Sequence, residues 1–435
     1  MNNVTRKKVA FHTLGCKLNF AETSTISRSF PEELFERVPA GTKADIYVIN
    51  TCTVTEAADR KCRQAIRKFI NKSPEAIIAV VGCYPQIRPG EVSAIHGVDL
   101  VLGTNEKFDV AGYLSALVKK QNAEIHSCAL SPSDTFIPSY SAGDRTRSFL
   151  KIQDGCDYGC AYCTVPLARG GNRNPAINSL TTDAVSLAGR GVKEIVITGV
   201  NIGSFGKTTG QSFAELLQEL VKVQGIERYR ISSIEPNLLT DEILSIIAGN
   251  KKILPHFHIP LQSGNNKILQ LMRRRYTREL FTNRVTAIKE ILPGAGIGAD
   301  VIAGFPGESE SDFEETFNFL GNTPLSYLHV FPYSERPGTV AASMPGKVAG
   351  EEKERRCKKL ISLSASKNQE FFRQNIGLTE EVLFEKLRSG GMITGFTGNY
   401  IRAEYPWQAK LVGQIRKVMM NGISPTGKMR VELID

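Results

Sequence analysis

The chain has 435 residues, 41% of them apolar and 23% charged, which is long for one domain and ordinary for a folded protein; disordered and fibrous classes are excluded. Its 54 lysines and arginines against 44 aspartates and glutamates leave a charge of +10, favouring an anionic partner, with nucleic acid ahead of a membrane surface. No apolar run reaches the ~18 residues of a membrane span. The basic start MNNVTRKKVAFHTLGC lacks the apolar segment of a secretory signal, so a cytoplasmic location is expected. Nine cysteines, an odd number, are expected there as metal ligands or catalytic thiols rather than as a disulfide framework.

Short β-branched runs at 7–14, 45–51, 77–82 and 98–102 alternate with helical patterns, notably 56–72. This predicts a small α/β domain with a parallel sheet over residues 1–125. Residues 126–146 carry Pro, Ser, Asp and Gly without apolar periodicity and read as a linker. Strand patterns then recur at 148–153, 194–199, 229–233, 255–260, 297–303 and 326–331, with helical patterns at 179–190, 211–224, 239–249, 264–272, 277–291 and 309–320. A closed β/α barrel needs about eight such units, so a partial (β/α)6 barrel is predicted, with its site at the strands' C-terminal ends. A charged helix at 349–375 closes this second domain, 147–375. Residues 376–435 read as short strands with Gly and Pro turns, a small all-β barrel or sandwich.

Cys156, Cys160 and Cys163 stand in GCDYGCAYC, a C-x3-C-x2-C spacing after a predicted strand. Three thiolates so close can converge on one soft metal centre. A 4Fe–4S cube normally takes four cysteines, so three would leave one iron open. Structural zinc favours a closed set of four, usually two C-x2-C pairs, and no second pair exists here. Together with Tyr162 before the third cysteine and a partial barrel behind it, the motif resembles the radical S-adenosylmethionine (SAM) superfamily. The resemblance implies that the open iron chelates the amino and carboxylate groups of SAM, and that one electron then yields a 5′-deoxyadenosyl radical.

Cys16, Cys52 and Cys83 lie in TLGCKLN, INTCTVT and VVGCYPQ, each following a predicted strand. Strand C-terminal ends of a parallel sheet share one edge, so the three can meet there; three separately buried structural cysteines are the competing reading. Over about 5–435 the chain is similar to the methylthiotransferases, which join a three-cysteine domain, a radical SAM barrel and a C-terminal TRAM β-domain. That similarity implies a second, auxiliary 4Fe–4S cluster on Cys16, Cys52 and Cys83, carrying the sulfur to be methylated and inserted. The stretches TLGCKLNFAET, INTCTVTEAADRKCRQ, HFHIPLQSGNNKILQLMRRRYT and DVIAGFPGE resemble the bacterial branch acting on threonylcarbamoyl-adenosine at position 37 of tRNA. The CK-x-N form and MRRRYT fit it better than the isopentenyl-adenosine or ribosomal-protein branches.

The implied reaction makes the 2-methylthio derivative, one SAM giving the methyl group and a second the radical. The implied partners are the anticodon loop of tRNA and an electron donor such as flavodoxin or ferredoxin; a monomer is expected. The alternatives are another tRNA adenosine or a ribosomal-protein side chain as substrate, a non-catalytic iron–sulfur electron carrier or sensor, and a zinc-stabilised RNA-binding protein. No catalytic acid or base is expected, because the substrate C–H offers no acidity to a protein base. Cys62, Cys128 and Cys357 match no ligand position.

For SAM, Tyr162 is a candidate against the adenine, and Gly199 and Asn201 are candidates near the amino group, although TGVN departs from the superfamily's Gly-Gly-Glu form. Ser233 and Glu235 suit ribose hydroxyls; Gln262 and Ser263 face the same mouth, and Gly304, Phe305 and Pro306 are placed to close over adenine. His256 and His258 share one strand face and read as structural or substrate-facing. Arg169 and Arg173 suit a carboxylate or phosphate, or the surface. Arg60, Arg63 and Arg67 share a helix face after Cys52, with Lys61, Lys68, Lys72 and one acid, Asp59, nearby, and are candidates for steering the anticodon loop. Arg273, Arg274, Arg275 and Arg278 form a second basic cluster, and Tyr400, Tyr405 and Trp407 suit either base stacking or a β-barrel core.

Overall fold

The computed structural model describes residues 6–115, 118–119, 121–131, 135–143 and 145–434; parts of the stretch read as a linker, at 132–134 and 144, lie outside them. The first sheet is built from β1 (Lys7–Thr13), β2 (Phe35–Val38), β3 (Ile46–Thr51), β4 (Ile77–Gly82), β5 (Leu100–Leu102) and β6 (Glu124–His126). Its order is β2-β1-β3-β4-β5-β6, and every pairing is parallel. β3 and β4 are buried throughout, which is why both read as unbroken apolar runs rather than alternating ones. Val9, Val48 and Val81 face one apolar layer; Ala10, Ile49 and Val80 face the other. The order reverses between β1 and β3, and the C-terminal ends of β1, β3 and β4 lead to Cys16, Cys52 and Cys83.

The second unit begins with β7 (Ser139–Tyr140), antiparallel to β8 (Ser148–Lys151), followed by β9 (Glu194–Thr198) and β10 (Arg228–Ile231). A parallel trio follows: β11 (His256–His258), β12 (Gly296–Ala303) and β13 (Tyr327–Pro332). The ladders stop between β10 and β11, where a single parallel bridge, Tyr229 to Ile253, joins them, and Leu254 N–H donates to the Tyr229 carbonyl at 2.9 Å. The β8 to β13 strands therefore form the expected open, six-unit β/α barrel. The β7 strand and the end of β6 fall within the stretch read as a linker. Elements of two and three residues carry no periodicity to detect.

The helix Gly350–Asn375 runs along β13 and ends with Phe371 and Phe372 inside a third core. That core fills a closed barrel of β14 (Thr379–Ser389), β15 (Met392–Phe396), β16 (Arg402–Pro406), β17 (Ile415–Ile423) and β18 (Met429–Leu433), the TRAM-type domain. It docks on the β/α barrel's N-terminal rim: Arg230 donates to the carbonyls of Thr397 at 3.0 Å and Gly398 at 2.9 Å. Gly296 has no room for a side chain there, since a Cβ would lie 2.1 Å from the Asn399 carbonyl oxygen. The opposite, C-terminal rim is left to the cysteine loops.

The helix Lys17–Arg28 of the first domain packs against β7 and β8, with Phe20 and Ala21 against Phe149 and Val196. At its centre Glu22 is fully buried. Its carboxylate meets Lys107 at 2.7 Å, Lys151 at 3.0 Å and Arg169 at 2.9 Å, and Asp154 pairs with Lys151 at 2.7 Å and Arg169 at 3.0 Å. Burial alone would raise the Glu22 carboxyl; Arg169, Lys107 and Lys151 outweigh it and hold it well below the usual carboxylate range. A second buried pair, Arg336 with Asp59 at 2.7 Å, ties the loop after β13 to the helix Glu56–Lys72.

Glu22→Ala leaves three buried cations short of an anion, and a loss of about 3–5 kcal/mol is expected in urea unfolding of the cluster-free protein. An unchanged midpoint would contradict this. The folded carboxyl titrates lower than the unfolded one, so its contribution is full above the unfolded pKa of about 4.3 and is lost as pH falls below it. Glu22→Ala is therefore expected to flatten the acid limb of the stability curve.

Candidate metal centres and cofactor cavity

The Cys156–Cys163 loop follows β8 and ends at the short helix Val165–Arg169. Gly155 starts it at φ +66°, and a Cβ there would lie 1.8 Å from the Gly171 carbonyl oxygen, so only glycine fits. Backbone bonds pin the loop: Ala161 N–H donates to Met272 at 3.0 Å and Ala341 N–H donates to Ala161 at 2.7 Å. Each sulfur has a donor. The Tyr158 N–H lies 3.4 Å from Cys156 Sγ, the Val165 N–H 3.4 Å from Cys163 Sγ, and Arg274 Nη1 3.1 Å from Cys160 Sγ. Burial raises all three thiols, Cys163 up to about 12, so ligation rather than free ionisation is what would deprotonate them.

These cysteines line a cavity of about 360 Å³ together with Tyr162, Asn201, Ser233, Glu235, Gln262, Arg274 and Asp300, and with Val54 and Thr55 from the loop after Cys52. Asn201 Oδ1 is buried and has no hydrogen-bond partner among the described residues. An orphan acceptor beside three thiols suits an ammonium donor such as the SAM amino group. Gln262 holds φ +71°, unusual for a side-chain-bearing residue, and carries the β11 chain on alongside Asp300 and Ile302.

Five of the six residues expected at SAM thus line the cavity, but Gly199 sits behind the wall, where a Cβ would meet Ile202 at 2.7 Å and Gln153 at 3.0 Å. Ser263 turns away to Thr316 at 3.1 Å, and Phe305 packs edge-on beneath Tyr162 rather than over the cavity. Glu235 arrives already paired with Arg274.

Arg274 itself is a correction. The sequence groups it with Arg273, Arg275 and Arg278 as RNA-facing charge, yet its side chain is buried against Cys160, Tyr162, Glu235 and Tyr276. The cause is Arg273, whose φ of +57° turns the chain so that consecutive guanidiniums diverge. Arg273 stays exposed, Arg275 lies 4.1 Å over the Tyr158 ring, and Arg278 pairs with Glu279 and Glu315.

The other three cysteines meet at the first sheet's edge. A Cβ on Gly15 would lie 2.5 Å from Cys52 Cβ and 3.1 Å from its Sγ, so the TLGC turn rests on Cys52. Burial pushes the Cys52 thiol well up, and Cys16 and Cys83 raise it further; burial also raises Cys83, against Arg169 and Lys107. The Cys62 thiol donates to the Cys52 carbonyl at 3.3 Å, behind the loop, while Cys128 is exposed and Cys357 lies in the helix Gly350–Asn375.

Two residues whose structural role the sequence does not show, Asn19 of the CK-x-N form and Gln153, position this edge and the cavity. Asn19 donates to the carbonyls of Leu14 at 2.8 Å and Thr51 at 2.9 Å and accepts from Arg169 at 2.7 Å. Gln153 donates to Gly155 O at 2.7 Å and Asn172 at 2.7 Å and accepts from the N–H groups of Val200 at 2.9 Å and Asn201 at 2.8 Å. Its only sequence signal is a polar residue ending a strand just before the cysteine loop.

Of the helix arginines, Arg60 and Arg67 are exposed, while Arg63 bonds the Tyr84 hydroxyl at 3.0 Å. Asp59, Arg169 and Arg173 are engaged inside the structure, the last with Asp154 at 3.4 Å. His256 bonds Tyr327 at 2.8 Å and stacks on Tyr400 at 4.2 Å, which spends Tyr400 on the domain junction; Tyr405 and Trp407 pack against the TRAM core. His258 bonds Asp300 at 2.9 Å.

Residues 8–103 match the family described as uncharacterized protein family UPF0004, and residues 150–320 match the radical SAM superfamily. The chain is 41% identical over 421 residues to threonylcarbamoyladenosine tRNA methylthiotransferase MtaB of Bacillus subtilis, covering 94% of this chain and 93% of that one. It is 40% identical to MtaB of Aquifex aeolicus over 85% of this chain and 91% of that one. It is 32% identical to the tRNA-2-methylthio-N(6)-dimethylallyladenosine synthase of Aquifex aeolicus, covering 96% and 97%. The radical SAM methyltransferase TsrM of Kitasatospora setae shares the fold at TM-score 0.54 and 14% identity, over 78% of this chain and 77% of that one.

The chain belongs to the radical SAM methylthiotransferase family, within the branch that contains MtaB. It is therefore an enzyme that carries two iron–sulfur clusters and uses SAM, and the donor sets at both cysteine triads fit that requirement. Gly155→Ala is expected to lose the loop's metal centre, leaving about half the wild-type iron after reconstitution, because one of two equal clusters is gone. Full iron content in that variant would contradict the loop assignment.

Proposed function

We propose that the protein converts threonylcarbamoyl-adenosine at position 37 of tRNA into its 2-methylthio derivative, with one SAM as methyl donor and one as radical source. The observation that carries this reading is the meeting of two cysteine triads across one junction, with Val54 and Thr55 beside Cys52 forming wall of the cavity that holds Cys156, Cys160 and Cys163. In this reading Cys156, Cys160 and Cys163 hold the SAM-binding cluster and Cys16, Cys52 and Cys83 the auxiliary one. When bound, these groups supply one-electron reduction, the methyl group and the sulfur.

The chain's own side chains bind and orient. Asn201 accepts from the SAM ammonium, Tyr162, Ser233 and Gln262 wall the adenosyl part, and Gly199 leaves room for the Gln153 bridge. The Glu235–Arg274 pair supports Cys160 from below. Apolar walls from Val54, Ile302 and Phe331 help to exclude water from the reacting centre. Arg60, Arg63, Arg67 and Arg273 draw the anticodon loop to the cavity mouth. An electron donor such as flavodoxin or ferredoxin completes the partners, and the protein acts as a monomer in the cytoplasm.

The test is mass spectrometry of nucleosides from tRNA of cells lacking this enzyme, after anaerobic incubation with reconstituted protein, SAM and reductant. Wild type is expected to convert threonylcarbamoyl-adenosine into its 2-methylthio form. Cys160→Ala is expected to stop both 5′-deoxyadenosine release and methylthiolation. Cys52→Ala is expected to release 5′-deoxyadenosine and make no methylthio nucleoside; product from that variant would contradict the auxiliary role.

A further inference from the structure

His258, Asp300 and His329 stand on the successive parallel strands β11, β12 and β13. The register sets His258 beside Gly298 and Asp300 beside His329, and side chains alternate along each strand, so the three share one sheet face. Asp300 Oδ1 lies 2.9 Å from His258 Nε2 and 3.4 Å from His329 Nδ1. Burial alone would raise this carboxyl; His258 and His329 outweigh it and hold it below the usual carboxylate range. An ionised carboxylate only accepts hydrogen bonds. Its second oxygen makes none among the described residues, and Asp300 lines the cavity that holds Cys156, Cys160 and Cys163. Among the described residues the only other carboxylate on that wall is Glu235, whose charge Arg274 balances. Asp300 is thus an oriented acceptor with one oxygen to offer.

One step nearer the strand ends, the same face carries Ile302 on β12 and its direct neighbour Phe331 on β13, and both line the cavity. Phe331 is 43% exposed, and β13 is the edge strand of the open barrel, so its ring stands where a base can enter from outside. An open aromatic ring beside a fixed polar group is the usual way to read an unstacked RNA base, by stacking on its face and bonding its edge. In an N6-substituted adenine the ring nitrogens carry no proton, and N6–H is the base's own N–H donor. Gripping N6–H leaves C2, the reacting carbon, free to face the cysteines. The geometry points to a base-reading subsite in which Asp300 accepts the N6–H of the substrate adenine and Phe331 stacks on its ring. The inference rests on the proposed tRNA substrate.

The test uses anaerobically reconstituted holoenzyme and two synthetic anticodon stem-loops, one bearing threonylcarbamoyl-adenosine and one its N6-methyl derivative, which lacks the N6–H. Wild type is expected to prefer the N6–H form by about 10- to 100-fold in kcat/KM, the range for one hydrogen bond to a charged group. Wild type that treats the two alike overturns the inference without any variant. In Asp300→Asn the imidazoles keep the amide oxygen and the NH2 group replaces the acceptor, so the preference is expected to vanish through loss on the N6–H form. Iron content and the equilibrium Kd for SAM are expected to match wild type. Phe331→Ala is expected to raise KM about 10-fold for both stem-loops and to keep the preference; an unchanged KM overturns the stacking role. An Asp300→Asn enzyme that keeps the wild-type preference overturns the inference, as does one that keeps it while SAM binds more weakly, the result expected if Asp300 holds the ribose of SAM instead. Failure of wild type to methylthiolate the N6–H stem-loop overturns the substrate reading and the subsite with it, whereas an unchanged preference on a good substrate overturns the subsite alone.

Discussion

A carboxylate with no exposure to water must be compensated on every side, and Glu22 is compensated from both domains at once. Lys107 comes from the first domain, Lys151 from a β/α-barrel strand and Arg169 from the helix that ends the cysteine loop. No rigid-body shift of one domain can preserve all three contacts. Arg169 also reaches Asn19, whose amide clamps the turns before Cys16 and Cys52. The same guanidinium is thus covalently continuous with one cysteine triad and hydrogen-bonded to the support of the other. The buried charge is a poor source of stability compared with apolar packing, and its use here is to fix a relative position.

Around that anchor, backbone freedom is spent where thiols must crowd. Gly155 and Gly15 stand where a Cβ would collide with the Gly171 carbonyl or with Cys52. Gln262 and Arg273 hold positive φ without being glycine, one on the cavity wall and one beside it. Such conformations cost about 1–3 kcal/mol each and persist where surrounding contacts over-determine them. The TRAM domain contributes from the opposite rim. By occupying the strands' N-terminal ends, it leaves the C-terminal rim as the face where the cysteine loops and the first domain meet.

The six cysteines were legible in the sequence because their information is local: three share one loop, and three follow strand patterns whose C-terminal ends must share an edge. The open β/α barrel was legible for the same reason, as alternation of short apolar runs and helices. The positioning roles of Glu22, Asn19 and Gln153 were not, since each works through partners far along the chain, and a buried polar group has the same letter as an exposed one. Arg274 was misread because a run of arginines suggests one face, and a single residue with positive φ separates them. Gly199 stands at the strand end the sequence pointed to but does not line the cavity, and the space a Cβ would take there is held by Ile202 and Gln153.

On the proposed function, both cysteine triads carry metal and face one shared substrate space. The most direct measurement is an iron anomalous map from crystals of the anaerobically reconstituted protein. Two iron centres are expected, one on Cys16, Cys52 and Cys83 and one on Cys156, Cys160 and Cys163, on facing sides of the space between Val54 and Asp300. A single iron centre, or two separated by the first domain's sheet, would contradict it.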